Sequence, residues 1–70
     1  MYTIYSKDLC PNCEKTKMVL FSKGLEFEVK KLDVDFDIKW FMDNFKSRTF
    51  PVITNGDIIY KGFEELYSSL

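Results

Sequence analysis

The stretch IYSKDLCPNCEKTK, residues 4–17, holds both cysteines of the chain, Cys10 and Cys13, and the chain has no histidine. Immediately before it, Tyr2–Tyr5 reads as a short strand with no polar alternate, the pattern of a strand covered on both faces. Pro11 suits the first position of a helix, where its missing N–H is not needed. That helix runs to Lys23 and stops at Gly24, a residue suited to the left-handed stop conformation. Its inner stripe holds Cys13, Thr16 and Leu20, with Val19 beside them and Glu14, Lys15 and Lys17 outside. A strand therefore feeds a helix through a cysteine pair.

Working outward, Phe27 and Val29 alternate with Glu26, Glu28 and Lys30, the period of a half-exposed strand. The alternation slips at Leu32 and Val34, so a bulge or strand end is expected near Lys31. Asp35 or Asp37 can cap a second helix, whose Ile38, Phe41, Met42 and Phe45 share one stripe. Trp40 lies off that stripe. Asn55-Gly56 between Val52-Ile53 and Ile58-Ile59 signals a hairpin, because both residues tolerate positive φ. A short last helix follows Gly62, with Phe63, Leu66 and Leu70 on one face. The order is β-α-β-α-β-β-α: an α/β sandwich in which the first two strands are parallel, joined by a right-handed crossover, and the hairpin is antiparallel.

Residues 1–70 are read as one domain, near the lower size limit for a core that folds alone. Seven Phe, four Tyr and one Trp supply the large buried areas that so short a chain needs. A net charge of −1 argues against nucleic acid as a partner, since phosphate binding depends on clustered positive charge. No stretch approaches the roughly 20 apolar residues of a membrane span. The start, MYTIYSKD, lacks a basic region followed by an apolar run, so a cytoplasmic location is expected. There a close cysteine pair points to metal or redox chemistry.

Three readings of Cys10 and Cys13 compete. A structural zinc site takes four ligands, and one copy of this chain has two thiolates and no imidazole. A staple across so short a ring is worth about 2 kcal/mol and ties a helical turn that hydrogen bonds already hold. The redox reading accounts for every residue. Cys10 falls at the helix N-cap, where N–H groups of Asn12 and Cys13 and the positive helix end favour a thiolate. A lowered pKa makes Cys10 the nucleophile. Cys13, one turn inside, is the resolving thiol, and Pro11 shapes the turn between them.

IYSKDLCPNCEKTK, followed by TFPVI and KGFEEL, resembles the glutaredoxin family nearly end to end. The resemblance implies a minimal thioredoxin-like fold, a four-stranded mixed sheet flanked by three helices, and dithiol–disulfide oxidoreductase activity. It also implies that Pro51, in Thr49-Phe50-Pro51, is a cis proline that exposes the backbone of Phe50 to a substrate pairing as an extra strand. In that family glutathione is held by a basic residue before the first cysteine, by the T-x-P backbone and by a Gly-Gly-x-Asp at the last helix. Lys7 matches the first, Gly62 the second glycine, and Glu64 stands for the aspartate. Lys61 replaces the first glycine, and Asn12 replaces the usual tyrosine. Lys7 as a solvated surface lysine and Glu64 as a helix-start charge are the plainer readings of those two residues.

The departures are similar to a sister group, small redoxins that donate electrons to ribonucleotide reductase and accept them from thioredoxin reductase. Lys61-Gly62-Phe63 and Arg48 fit its pattern in part; Arg48 as a loop cation and Phe63 as a core residue are the alternatives. The expected partners are disulfide-containing proteins, ribonucleotide reductase among them, with glutathione or thioredoxin reductase as reductant. No tightly bound cofactor is expected, and the chain is expected to be a monomer. An iron–sulfur scaffold is the reading from another class; cluster-assembling relatives usually have a single active cysteine, and Cys13 with Pro11 runs against it.

Overall fold

The strand pair predicted around the first helix forms in the computed structural model, which describes residues 1–70. β1 (Tyr2–Ser6) runs parallel to β2 (Phe27–Lys31), with Ile4 opposite Val29. Between them lies α1 (Pro11–Ser22). After α2 (Ile38–Phe45) come β3 (Val52–Asn55), β4 (Ile58–Tyr60) and α3 (Phe63–Ser69). The strand order is β2-β1-β3-β4, so β1 and β3 are the inner pair, antiparallel with Ile4 opposite Ile53 and Tyr5 opposite Val52.

Because successive strand residues point to opposite faces, each inner strand serves two cores. Ile4 and Ile53 meet Leu20 of α1 and Leu66 of α3 on one face, all four fully buried. Tyr5 and Val52 meet Phe41 and Phe45 of α2 on the other. Full burial of a Leu, Ile or Phe contributes about 1.5–3 kcal/mol. Both clusters therefore rest on the two central strands, and the absence of polar alternation in β1 has its cause here.

Local chemistry ends the elements. Gly24 takes φ 70; its N–H bonds to Phe21 O and that of Leu25 to Leu20 O, at 3.1 and 3.0 Å. That is a Schellman stop, with Leu25 packed on the Leu20 cluster. Asp37 caps α2, its carboxylate accepting from the Trp40 N–H at 2.8 Å. Asp35 instead accepts from the Lys31 N–H at 2.9 Å, closing the turn where β2 ends. Leu32 then bridges to Phe36, which accounts for the slipped alternation.

Three expectations are corrected. Ile38 is 44% exposed. A helical side chain covers the surface N-terminal to its own Cα, so the first residue of α2 reaches past the helix end. Leu70 lies beyond the last turn of α3, and Leu66 alone carries that helix's full burial. The hairpin loop is Gly56-Asp57, one residue later than the Asn55-Gly56 reading, since Asn55 pairs with Ile58. Only Gly56 takes a positive φ there, 64°. The observed register sets Tyr60 opposite Ile53, where it packs on the Ile4 cluster.

Candidate active site

Cys10 has extended backbone angles at the N-cap of α1, φ −123 and ψ 95, so its side chain turns back over the first helical turn. Its Sγ accepts from the Cys13 N–H at 3.2 Å. The sulfur is here a disulfide sulfur, bonded to Cys13; in the reduced protein a thiolate takes its place. Asn12 makes no such bond. The N-cap side chain reaches the third helical residue, which is Cys13. Cys13 is 1% exposed against 8% for Cys10, so the outer sulfur belongs to Cys10.

The β1–β3 ladder ends with Tyr5 opposite Val52, so Ser6 and Lys7 leave β1 at the end where Phe50 and Pro51 lead into β3. Pro51 has no N–H to continue the ladder, so β3 begins at Val52. The Phe50–Pro51 peptide is cis, as the resemblance implies, and Pro51 is buried. The Lys7 Nζ lies 5.5 Å from the centroid of the Phe50 ring, which stacks on Phe41 at 4.3 Å and 10°.

Two adjoining grooves, each about 320 Å³, share Asn12 and Phe50, and Cys10 lines the first of them. The first adds Lys7, Leu9 and Pro11. The second runs on through Thr49 to Gly62, Phe63 and Glu64 at the start of α3. A third hollow, about 530 Å³, opens on the other side of Cys10 toward Lys31. There the Asp8 carboxylate, hydrogen-bonded to the Lys31 ammonium at 2.8 Å, holds that group's pKa above its ordinary 10.5.

Most residues singled out in the sequence thus converge on one surface; three do not line it. Cys13 and Pro51 lie beneath it, and Arg48 lines none of these grooves and forms no ion pair. Gly62 takes φ 128, a conformation that favours glycine, although a Cβ there would meet no atom within 4 Å. Phe63 is half-buried and stacks on Tyr67, 5.5 Å between centroids. Glu64 and Glu65 both lie in the first turn of α3; Glu65 accepts from the Lys61 N–H at 3.2 Å, whereas the Glu64 carboxylate has no hydrogen-bond or ion-pair partner. The sequence reading missed Leu9, Ser47 and Glu65. Ser47 signals itself as a short hydroxyl two residues before Thr49: its Oγ accepts the Thr49 N–H at 3.2 Å.

A dithiol at a helix start, buried on its inner side and open on its outer side, is built for sulfur exchange, and the surrounding sheet is of the thioredoxin-like class. Glutaredoxin 1 from Francisella tularensis, solved with cacodylate, superposes with a TM-score of 0.83 at 25% identity, over 97% of this chain and 88% of that one. NrdH-redoxin from Escherichia coli gives 0.77 at 26% identity, over 99% and 92%. In sequence the chain is 34% identical over 61 residues to the glutaredoxin-like protein NrdH of Salmonella typhimurium, covering 87% of this chain and 75% of that protein. The glutaredoxin family model matches residues 2–59, and the chain belongs to the glutaredoxin family. It is a thiol–disulfide oxidoreductase of that family carrying a Cys10–Cys13 pair.

Proposed function

We propose that the protein is a small electron carrier of cell redox balance that reduces protein disulfides and glutathione mixed disulfides, with Cys10 as nucleophile and Cys13 as resolver. The Cys10 thiolate attacks one sulfur of the substrate disulfide; the other substrate sulfur leaves as a thiolate and takes a proton. Cys13, deprotonated, then attacks Cys10 Sγ and releases the second substrate thiol. Two electrons pass to the substrate and the Cys10–Cys13 disulfide remains. Two glutathione molecules restore the dithiol and leave as glutathione disulfide. The protein works as a monomer in the cytoplasm, without a tightly bound cofactor, and ribonucleotide reductase is among its acceptors.

The observation that carries the glutathione reading is the groove between Thr49-Phe50 and the start of α3, which adjoins the Cys10 groove at Asn12 and Phe50. Thr49, Phe50, Gly62 and Glu64 line it, which supports an extended peptide lying along the Thr49-Phe50 backbone with its α-amino group on the unpaired Glu64 carboxylate. Lys7, its Nζ 5.5 Å from the Phe50 ring centroid, is the cation this reading assigns to a terminal carboxylate.

A second reading, thioredoxin reductase as the reductant, is favoured by the NrdH likeness and by Lys61, which stands where a glycine of the glutathione pattern is expected. The Escherichia coli NrdH-redoxin is described as having a thioredoxin-like activity profile. Two coupled assays of NADPH consumption separate the readings, one with glutathione and glutathione reductase, the other with thioredoxin reductase alone, each with a disulfide substrate. Turnover only in the first is expected. Turnover only in the second moves the protein to the redoxin role, and turnover in neither ends the carrier reading.

A further inference from the structure

Leu9, the residue before Cys10, is 98% exposed, the most exposed of the large hydrophobic side chains. It also takes φ 54, in the left-handed region that favours glycine. Asp33 and Lys46 share a positive φ, and each has a local reason. Asp33 donates its N–H to Phe36 O within a turn, at 2.7 Å, and Lys46 closes the end of α2, its N–H on Met42 O at 2.9 Å. Leu9 makes no backbone hydrogen bond and joins neither buried cluster. A γ-branched apolar residue is thus held in an unfavourable backbone conformation, in full contact with water. Strain of this kind concentrates at working sites.

Its position supplies the use. Leu9 lines both the groove shared with Phe50 and the hollow toward Lys31, the two spaces that open on Cys10. It is therefore a wall between them. The chemistry names the occupant. A mixed disulfide places a substrate sulfur about 2.05 Å from Cys10 Sγ, so residues flanking that substrate cysteine must lie in these spaces.

We propose that Leu9 is a specificity-determining residue, which receives an apolar side chain next to the reactive cysteine of an extended substrate segment. This rests on the reading that the protein reduces disulfides in polypeptides. Contact between two such side chains removes roughly 40 Å² of apolar surface from water, which corresponds to about a fivefold preference in kcat/KM.

The test uses two synthetic peptide disulfides that differ only in the residues flanking the cysteine, leucine in one and serine in the other. Hydroxyethyl disulfide serves as a small substrate. Leu9→Asn keeps the left-handed backbone, which asparagine adopts readily, and Leu9→Gly relieves it; Leu9→Met retains an apolar side chain. The full-length protein should prefer the leucine peptide about fivefold. Leu9→Asn and Leu9→Gly should bring the ratio near one, and Leu9→Met should retain it. An equal rate on both peptides by the unsubstituted protein overturns the inference, as does a preference that survives Leu9→Asn. A parallel fall on all three substrates in both variants would mean that Leu9 places Cys10 and would equally overturn it. Turnover of hydroxyethyl disulfide with neither peptide reduced sinks the polypeptide reading itself, and Leu9 with it.

Discussion

The Lys7 ammonium stands 5.5 Å from the centroid of the Phe50 ring, across the end of the β1–β3 ladder and beside the groove that holds Cys10. An aromatic face attracts a cation by its quadrupole, worth about 0.5–1 kcal/mol at an exposed site. Phe50 can serve because its ring is held by stacking on Phe41, which is fully buried. A long flexible side chain is thereby kept over the groove.

Replacing Phe50 by Leu should free Lys7. In the reduced protein the Cys10 thiolate, followed by its ultraviolet absorbance against pH, should then titrate at higher pH, since a nearby cation favours the charged form. Lys7→Gln should move it the same way, and the double variant no further than Lys7→Gln alone. Additive shifts would show that the two residues act separately.

Alkylation should distinguish the two thiols. Below neutral pH, iodoacetamide should modify Cys10 of the reduced protein well before Cys13. Only Cys10 accepts the Cys13 N–H and reaches the surface, while Cys13 is enclosed. Peptide mapping that finds the label first on Cys13 would reverse the roles.

Glu64 and Glu65 should separate binding from stability. Glu65→Ala removes the acceptor of the Lys61 N–H and should lower stability by about 0.5–1 kcal/mol in a denaturant titration. Glu64→Ala should leave the denaturation midpoint in place and raise the glutathione KM several-fold. An unaltered KM would return Glu64 to a solvated surface charge.

Leu20→Ala should cost about 2–5 kcal/mol, because Leu20 is fully buried among Ile4, Ile53 and Leu66. For 70 residues the whole folding free energy is about 4–10 kcal/mol. The variant should therefore be partly unfolded at 37 °C by circular dichroism, whether the cysteines are oxidised or reduced. A native melting curve would show that the two-sided core tolerates the cavity.

The Asp8–Lys31 pair predicts a pH dependence. Its hydrogen bond raises the Lys31 pKa above 10.5 in the folded chain, so the lysine holds its proton more tightly when folded. That contribution is complete below pH 10.5 and disappears as pH rises through the raised value. Thermal melts of the unsubstituted protein and Asp8→Asn should therefore differ slightly at pH 9 and converge at the alkaline end. The pair is exposed, so the difference is small and should shrink with salt.

The order of elements, the helix start at Cys10-Pro11, the stop at Gly24 and the presence of a hairpin after Pro51 were all legible in the sequence, because each depends on dihedral preference, capping or periodicity within a few neighbours. The dithiol was legible for the same reason, since its sulfurs share one helical turn. Local residues did not announce that Lys7 would meet Phe50, or that Arg48 would stand away from the grooves. The first follows from the antiparallel register of β1 on β3, which joins positions more than forty residues apart. Ile38 shows the same limit: its helical spacing was correct, yet the end of α2 carries it beyond the sheet it was expected to cover. Burial depends on what stands opposite a side chain, and only the tertiary structure decides that.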